Sequence, residues 1–171
     1  PSRVYIARLV GTAVLDALGD EVGRVHDVGV LIRPRGAPRA VGLVVDVAAR
    51  RGVFLPLPRV TGIEPGAVIT TGLVNNRRFE QRTTETLVIS ELLARQVQMR
   101  DGSGGAVIED VAMELQRSND WIITKLSVRR KESGRLFSRG SSQVVDVEEV
   151  TGLGPSAEQQ GATALLFSLG D

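Results

Sequence analysis

Two stretches of this chain follow one plan, and that duplication constrains the fold more than any other feature. The segment LVGTAVLDALGDEVGRVHDVGV, residues 9–30, lies over LLARQVQMRDGSGGAVIEDVAM, residues 92–113. The overlay puts Leu9 on Leu92, Val14 on Val97, Val25 on Ile108, and His26-Asp27-Val28 on Glu109-Asp110-Val111. Further on, FLPLPRVTGI (Phe54 to Ile63) lies over VVDVEEVTGL (Val144 to Leu153), and the two share Val-Thr-Gly. Identity is low, but the order of turn, long strand, second strand and closing Val-Thr-Gly is kept. A supersecondary unit used twice is the economical reading of such a pattern.

The first copy opens on a β-hairpin. Val14 and Asp16 lead into the turn Leu18-Gly19-Asp20-Glu21, and Val22, Val25, Val28, Val30 and Ile32 lead out of it. Gly19 can take the positive φ of a tight reversal, and Asp20 can bond nearby amides. A hairpin with one strongly apolar face needs a further strand or layer to cover it. Arg3 to Val10 supplies an entry strand with Val4, Ile6 and Leu9 inward. Arg33-Pro34-Arg35-Gly36-Ala37-Pro38 breaks the hairpin with a loop, and Ala40 to Val47 is the most strongly β-branched strand. Val53 to Leu55 returns antiparallel until Pro56 and Pro58 end the pairing; Val60 to Ile63 and Ala67 to Thr70 close the sheet.

The second copy repeats this scheme. A short helical turn at Ser90-Glu91-Leu92-Leu93, capped by Ser90, precedes strands over Gln96 to Met99, Ala106 to Glu114 and Trp121 to Val128. Trp121 is expected in the core beside Ile123, Leu126 or Val128. Closely spaced short strands favour small barrels over a βαβ sheet. The expected organisation is all-β: a first six-stranded barrel over residues 1–72, a connector over 73–86, a second barrel over 87–154 and a helical tail over 155–171. In the tail, Ala162, Leu165, Leu166 and Leu169 fall on one helical face, a docking surface outside both barrels.

Composition narrows the function. A hydrophobic share of 42% with net charge +1 describes a globular chain and gives no argument for bulk electrostatic binding to nucleic acid. With no cysteine, disulfides, thiol catalysis and cysteine-ligated zinc are excluded, which suits a reducing cytoplasm. No apolar run approaches the ~18 residues of a membrane span, and no signal peptide is visible. A chain that begins at Pro1 reads as part of a longer protein.

Candidate chemistry is sparse. His26 is the only histidine, and its neighbour Asp27 points to the opposite face of a strand, so the two cannot act as a dyad. Asp16, Asp20 and Asp101 read as turn formers in preference to magnesium ligands, which need several converging oxygens. Asp146, Glu148 and Glu149 read as a solvated acidic edge. Gly102, Gly104 and Gly105 lack the Lys-Ser/Thr of a phosphate loop. Arg77, Arg78 and Arg82, with Phe79 among them, could grip RNA or brace the two barrels through Glu80 and Glu85; the brace is preferred. No metal or cofactor is expected, and no enzymatic activity.

On these residues the chain resembles the PRC-barrel family of six-stranded β-barrels, well over Arg3 to Thr70 and more weakly over Leu87 to Leu153. The connector GLVNNRRFEQRTTETLVISELL is similar to that of actinobacterial proteins in which tandem PRC-barrels accompany a helical domain like the intracellular N-terminal part of MgtE-type magnesium transporters. The residues Gly161 to Phe167 resemble the start of that domain. The resemblance carries no catalytic motif. It implies a cytoplasmic adaptor, peripheral to the inner face of the plasma membrane, whose partner is a magnesium transporter or its own downstream helical domain, with a homo-oligomer compatible. Arg77, Arg78, Phe79, Arg82, Leu165, Leu166 and Leu169 are the expected contact residues. The alternative is an RNA- or ribosome-associated factor, by likeness to the PRC-barrel of a ribosome maturation factor.

Overall fold

The computed structural model describes residues 3–33, 35–48, 50–72, 85–131 and 141–154. The expected connector residues 73–84 and the tail 155–171 lie outside them, and so do Arg77, Arg78, Phe79, Arg82, Leu165, Leu166 and Leu169.

The first half runs β1 (Arg3–Tyr5), a helical turn (Ile6–Leu9), β2 (Ala13–Leu15), β3 (Glu21–Leu31), β4 (Arg39–Val47), β5 (Arg50–Pro56), a 3-10 turn (Leu57–Arg59), β6 (Val60–Glu64) and β7 (Ala67–Thr70). The second runs β8 (Glu85–Leu87), a π-type turn (Val88–Leu92), β9 (Gln96–Met99), β10 (Gly105–Leu115), β11 (Trp121–Arg130), β12 (Ser142–Asp146), a 3-10 turn (Val147–Glu149) and β13 (Val150–Thr151).

The duplication is visible bond by bond. Gly11 N donates to Val25 O and Ala94 N to Ile108 O, both at 2.8 Å; Val25 N donates to Thr12 O and Ile108 N to Arg95 O, both at 3.0 Å. Val28 faces Leu43 on the neighbouring strand as Val111 faces Leu126. Leu55 and Val145 then occupy matching places beside Leu43 and Leu126, which is the overlay of Phe54–Ile63 on Val144–Leu153. The backbone has kept the plan while side chains drifted: Gly11 takes φ +86°, and Ala94 holds the same left-handed corner at φ +69°.

The strands do not form two self-contained barrels. They make one open sheet in the order β13-β9-β10-β11-β4-β3-β2-β7-β6, with β1 on β10, β12 on β11, β5 on β4 and β8 on β3. The first strand of each half crosses to the other half. β1 pairs with β10 through Arg3–Glu114, Val4–Met113 and Tyr5–Ala112, while β8 pairs with β3 through Glu85–Leu31, Thr86–Val30 and Leu87–Gly29. A barrel expected to close on its own first strand therefore lacks that strand and receives its counterpart's.

Each crossing strand continues into a hook that plugs the shared core. Ile6 and Leu9 are buried in the first, Val88 and Leu92 in the second. The expected entry strand Arg3–Val10 is thus extended only to Tyr5. The expected Ser90-capped turn is a turn over Val88–Leu92 closed by Leu93 N to Val88 O, without a side-chain cap. Between the hooks, β4 and β11 meet at Ala40–Trp121 and Arg39–Ile122, with Ile123 N donating to Pro38 O at 2.9 Å. Trp121 is 8% exposed, in the same core cluster as Ile123, Leu126 and Val128, as expected.

Candidate binding site at the junction of the halves

The most buried carboxylate among the described residues, Asp27, serves the exchange of hooks. It is fully buried at the bulge in β3. Oδ1 accepts from Val28 N at 2.8 Å and Ile89 N at 2.7 Å, and Oδ2 accepts from Ser90 N at 3.1 Å and Ser90 Oγ at 2.8 Å. Its counterpart Asp110 does the same work with fewer bonds, Oδ1 accepting from Val111 N at 2.8 Å and Ala7 N at 3.0 Å. A carboxylate that accepts several backbone N–H bonds satisfies its own charge and the free amides of a short turn together. Both aspartates are latches between the halves.

His26 stands on the opposite, exposed face of β3, as the alternation of a strand requires. Its Nδ1 lies 3.2 Å from Asp46 Oδ2 on β4, and Asp46 Oδ1 accepts from Gly52 N at 2.9 Å. Among the described residues His26 makes this contact with Asp46 and no hydroxyl is hydrogen-bonded to it.

The turn aspartates do backbone work. In the first turn it is Asp16, and not the expected Asp20, that bonds the amides: its Oδ1 accepts from Leu18 N and Asp20 N. Asp101 Oδ1 accepts from Ser103 N at 2.8 Å, and the Ser103 hydroxyl and amide hold the Asp101 carboxyl below its ordinary value. In the acidic cluster, Asp146 pairs with Lys125 on β11 and Glu149 Oε2 accepts from Asp146 N, a capping box on the 3-10 turn. Among the described residues no group of three or more such side chains could hold a metal ion.

A depression of about 400 Å³ lies where the halves meet. One wall is the β3–β4 loop of the first half: Ile32, Arg33, Gly36, Ala37 and Pro38. The other is Arg100, Val147, Glu148 and the run Val150–Gly154 of the second. Both guanidinium groups are tethered by main-chain oxygens. Arg33 Nε and Nη2 donate to Ala37 O at 3.2 and 2.7 Å, and Arg100 Nε donates to Glu148 O at 2.8 Å. Arg95 donates to Leu153 O and Gly154 O and pins the far rim. The result is an open cleft lined by both apolar and polar groups and edged by two held cations and one carboxylate. Such a cleft can take apolar side chains next to an acidic group of a protein partner.

The sequence reading registered the loop at Arg33 only as a strand breaker and missed Arg100. Its available signal was three arginines interleaved with two prolines in the seven residues Arg33 to Arg39, a rigid basic loop. No pattern in the chain shows that this loop faces the Val147–Glu149 turn.

Comparison with known proteins matches part of the chain to a family model. A family model covers residues 86–156, less than half of the chain. It describes an actinomycetes SH3 domain. The second half is therefore similar to a small all-β domain of that family, and the matched span holds one wall of the cleft. Neither a PRC-barrel nor an MgtE-type family is shown for the chain. No curated protein matches it. No helix among the described residues is long and apolar enough to cross a membrane.

Proposed function

We propose that this chain is a non-catalytic interaction module that uses the junction cleft to hold a protein partner. The observation that carries this reading is the cleft itself: walls from both halves, a lining of apolar and polar groups, and two guanidinium groups fixed by Ala37 O and Glu148 O. Pre-set donors lower the ordering cost of binding. The similarity of residues 86–156 to an SH3 domain supports a protein as the bound species. The resemblance of the chain to proteins that join tandem PRC-barrels to an MgtE-like helical domain supports a partner in magnesium transport, acting in the cytoplasm at the membrane's inner face. The only histidine, paired with Asp46 on an open strand face, supports the non-catalytic reading.

The test is calorimetric titration of this protein with the purified cytoplasmic domain of an MgtE-type transporter, with and without magnesium. Binding is expected, and Arg33→Ala and Arg100→Ala should each weaken it at least about ten-fold, since each removes a charged contact worth about 1.4 kcal/mol or more. Binding that ignores both substitutions would place the contact elsewhere. Absence of binding, with a steeply salt-dependent affinity for structured RNA instead, would move the assignment to an RNA-associated factor.

A further inference from the structure

The junction cleft is complementary to the chain's own continuation. Gly154 lines the cleft beside Leu153, so residues 155–171 leave from its rim. The eleven residues from Gly154 to Leu165 reach about 40 Å when fully extended, enough to fold back across a cleft of about 400 Å³. Residues 155–171 carry Glu158 and Asp171 and no Lys or Arg, and their apolar part is Leu165, Leu166, Phe167 and Leu169. The cleft presents the converse: Ile32, Ala37 and Val147 in its lining, Arg33 and Arg100 on its edge. Both guanidinium groups are bonded to main-chain oxygens, and among the described residues neither pairs with a carboxylate.

The repeat closes the other destination open to this segment. Val60-Thr61-Gly62-Ile63-Glu64-Pro65-Gly66-Ala67 lies over Val150-Thr151-Gly152-Leu153-Gly154-Pro155-Ser156-Ala157, and five of these eight residues are shared. In the first half the chain turns at Pro65-Gly66 into β7, which lies between β6 and β2. In the second half β13 pairs directly with β9, so the corresponding slot is filled. The counterparts of Val68, Ile69 and Thr70 are Glu158, Gln159 and Gln160, a polar run poorly suited to a strand inside a sheet. The turn signal at Pro155 is kept, but the strand that followed it has no place. A chain that turns back there meets the cleft of which Gly154 is already a wall.

We propose that residues 155–171 fold back into the junction cleft, with Leu165, Leu166 and Phe167 on its apolar lining and Asp171 beside Arg33 and Arg100. The inference rests on the cleft being the docking site for a partner, and adds that this site is occupied in cis. A tethered segment acts at an effective concentration in the millimolar range. The partner must displace it, and its apparent affinity falls with the fraction of clefts that are free.

The absence of cysteine from the chain permits a disulfide-trapping test. In the full chain, Ala37→Cys with Leu166→Cys should close an intramolecular disulfide under mild oxidation at least about ten times faster than Leu18→Cys with Leu166→Cys. Leu18 is exposed in the β2–β3 turn, at the opposite end of the long strand β3 from the loop that holds Ala37. Arg33→Glu with Arg100→Glu should slow the first reaction, and Asp171→Arg added to them should restore it. Equal rates for the two cysteine pairs overturn the proposal, as does a disulfide that joins two chains instead of closing one. Leu165→Asp with Phe167→Asp should empty the cleft and tighten binding of the purified cytoplasmic transporter domain at least about ten-fold. An unchanged affinity for a domain that does bind would overturn the competition. Fast trapping in a protein that binds no transporter domain would sustain this inference and sink the choice of partner; slow trapping in a protein that binds it would do the reverse. Circular dichroism of each variant confirms that its fold is retained.

Discussion

Asp27 and Asp110 occupy one position of the repeat, yet they should answer the same substitution differently. Asp27 uses both oxygens, two donors on each, whereas the bonds to Asp110 both fall on Oδ1. In Asp110→Asn the amide oxygen can keep both N–H bonds, and the cost should stay below about 1 kcal/mol. In Asp27→Asn the amide NH2 must face either Ser90 N–H and the Ser90 hydroxyl or the two backbone amides. A buried donor against donors costs about 2–3 kcal/mol. Urea denaturation of the two variants measures the contrast, and equal losses would show that the second oxygen of Asp27 matters little. The sequence revealed that Asp27 lies opposite His26 in parity but not that it is buried. Burial of a carboxylate becomes readable only once the amides of residues 89 and 90 arrive, and they come from the other half of the chain.

Gly42 and Asp101 carry two further residue-scale predictions. A Cβ built on Gly42 would stand 2.1 Å from Phe54 Cε2, 2.3 Å from Phe54 Cζ and 2.9 Å from Leu55 O. Gly42→Ala should therefore cost about 1–3 kcal/mol as the Phe54 ring is pushed off its strand. In a Phe54→Ala background the cost should shrink, leaving only the strain at the Leu55 carbonyl; a double-mutant cycle measures the difference. Asp101 has a depressed carboxyl, so its small, exposed contribution to stability is present above the unfolded value and is lost as pH falls through the folded one. Ser103→Ala removes the main cause, and NMR titration should show the Asp101 midpoint rising toward its ordinary value of 3.8.

At the scale of elements, most of the strands could be read from the chain because each is a local pattern. The long strands β3 and β4, with their alternating or continuous apolar runs and flanking turns, fall where the residues place them. What could not be read is which long strand each first strand joins. β10 and β3 present equivalent edges, so the residues of β1 fit either one, and nothing local to Arg3–Tyr5 distinguishes them. The hooks decide, because a turn that starts at Ile6 or Val88 directs its apolar side chains across the junction. Ile6 is fully buried, and Ile6→Ala should cost about 2–5 kcal/mol. The loss should appear in hydrogen exchange of β10, the strand that β1 covers, sooner than in β2, its neighbour in the chain. Faster exchange confined to β2 would mean that the hook stabilises its own half.

The whole molecule follows from that exchange. Each half contributes a strand and two buried apolar side chains to the other, and the direct seam between β4 and β11 is only two residue pairs long. Its centre is Trp121, whose truncation to alanine should cost about 3–5 kcal/mol, a large part of the ~5–15 kcal/mol of a folded domain. Because the core is shared, that loss should shift one cooperative unfolding transition, whereas two independent domains would show one transition moving and the other fixed. The decisive experiment cuts the chain. A protease site placed within residues 73–84 and cleaved after folding severs the covalent link between the halves and leaves both hooks in place. The two fragments should then co-elute as one species of unchanged size on gel filtration and separate only in denaturant. Tight association is expected because parting them would expose Ile6, Leu9, Val88 and Leu92 to water, each worth about 1.5–3 kcal/mol of burial. Fragments that separate in plain buffer would mean that each half can close without its neighbour's strand, and the cleft between Arg33 and Arg100 would then come apart with them.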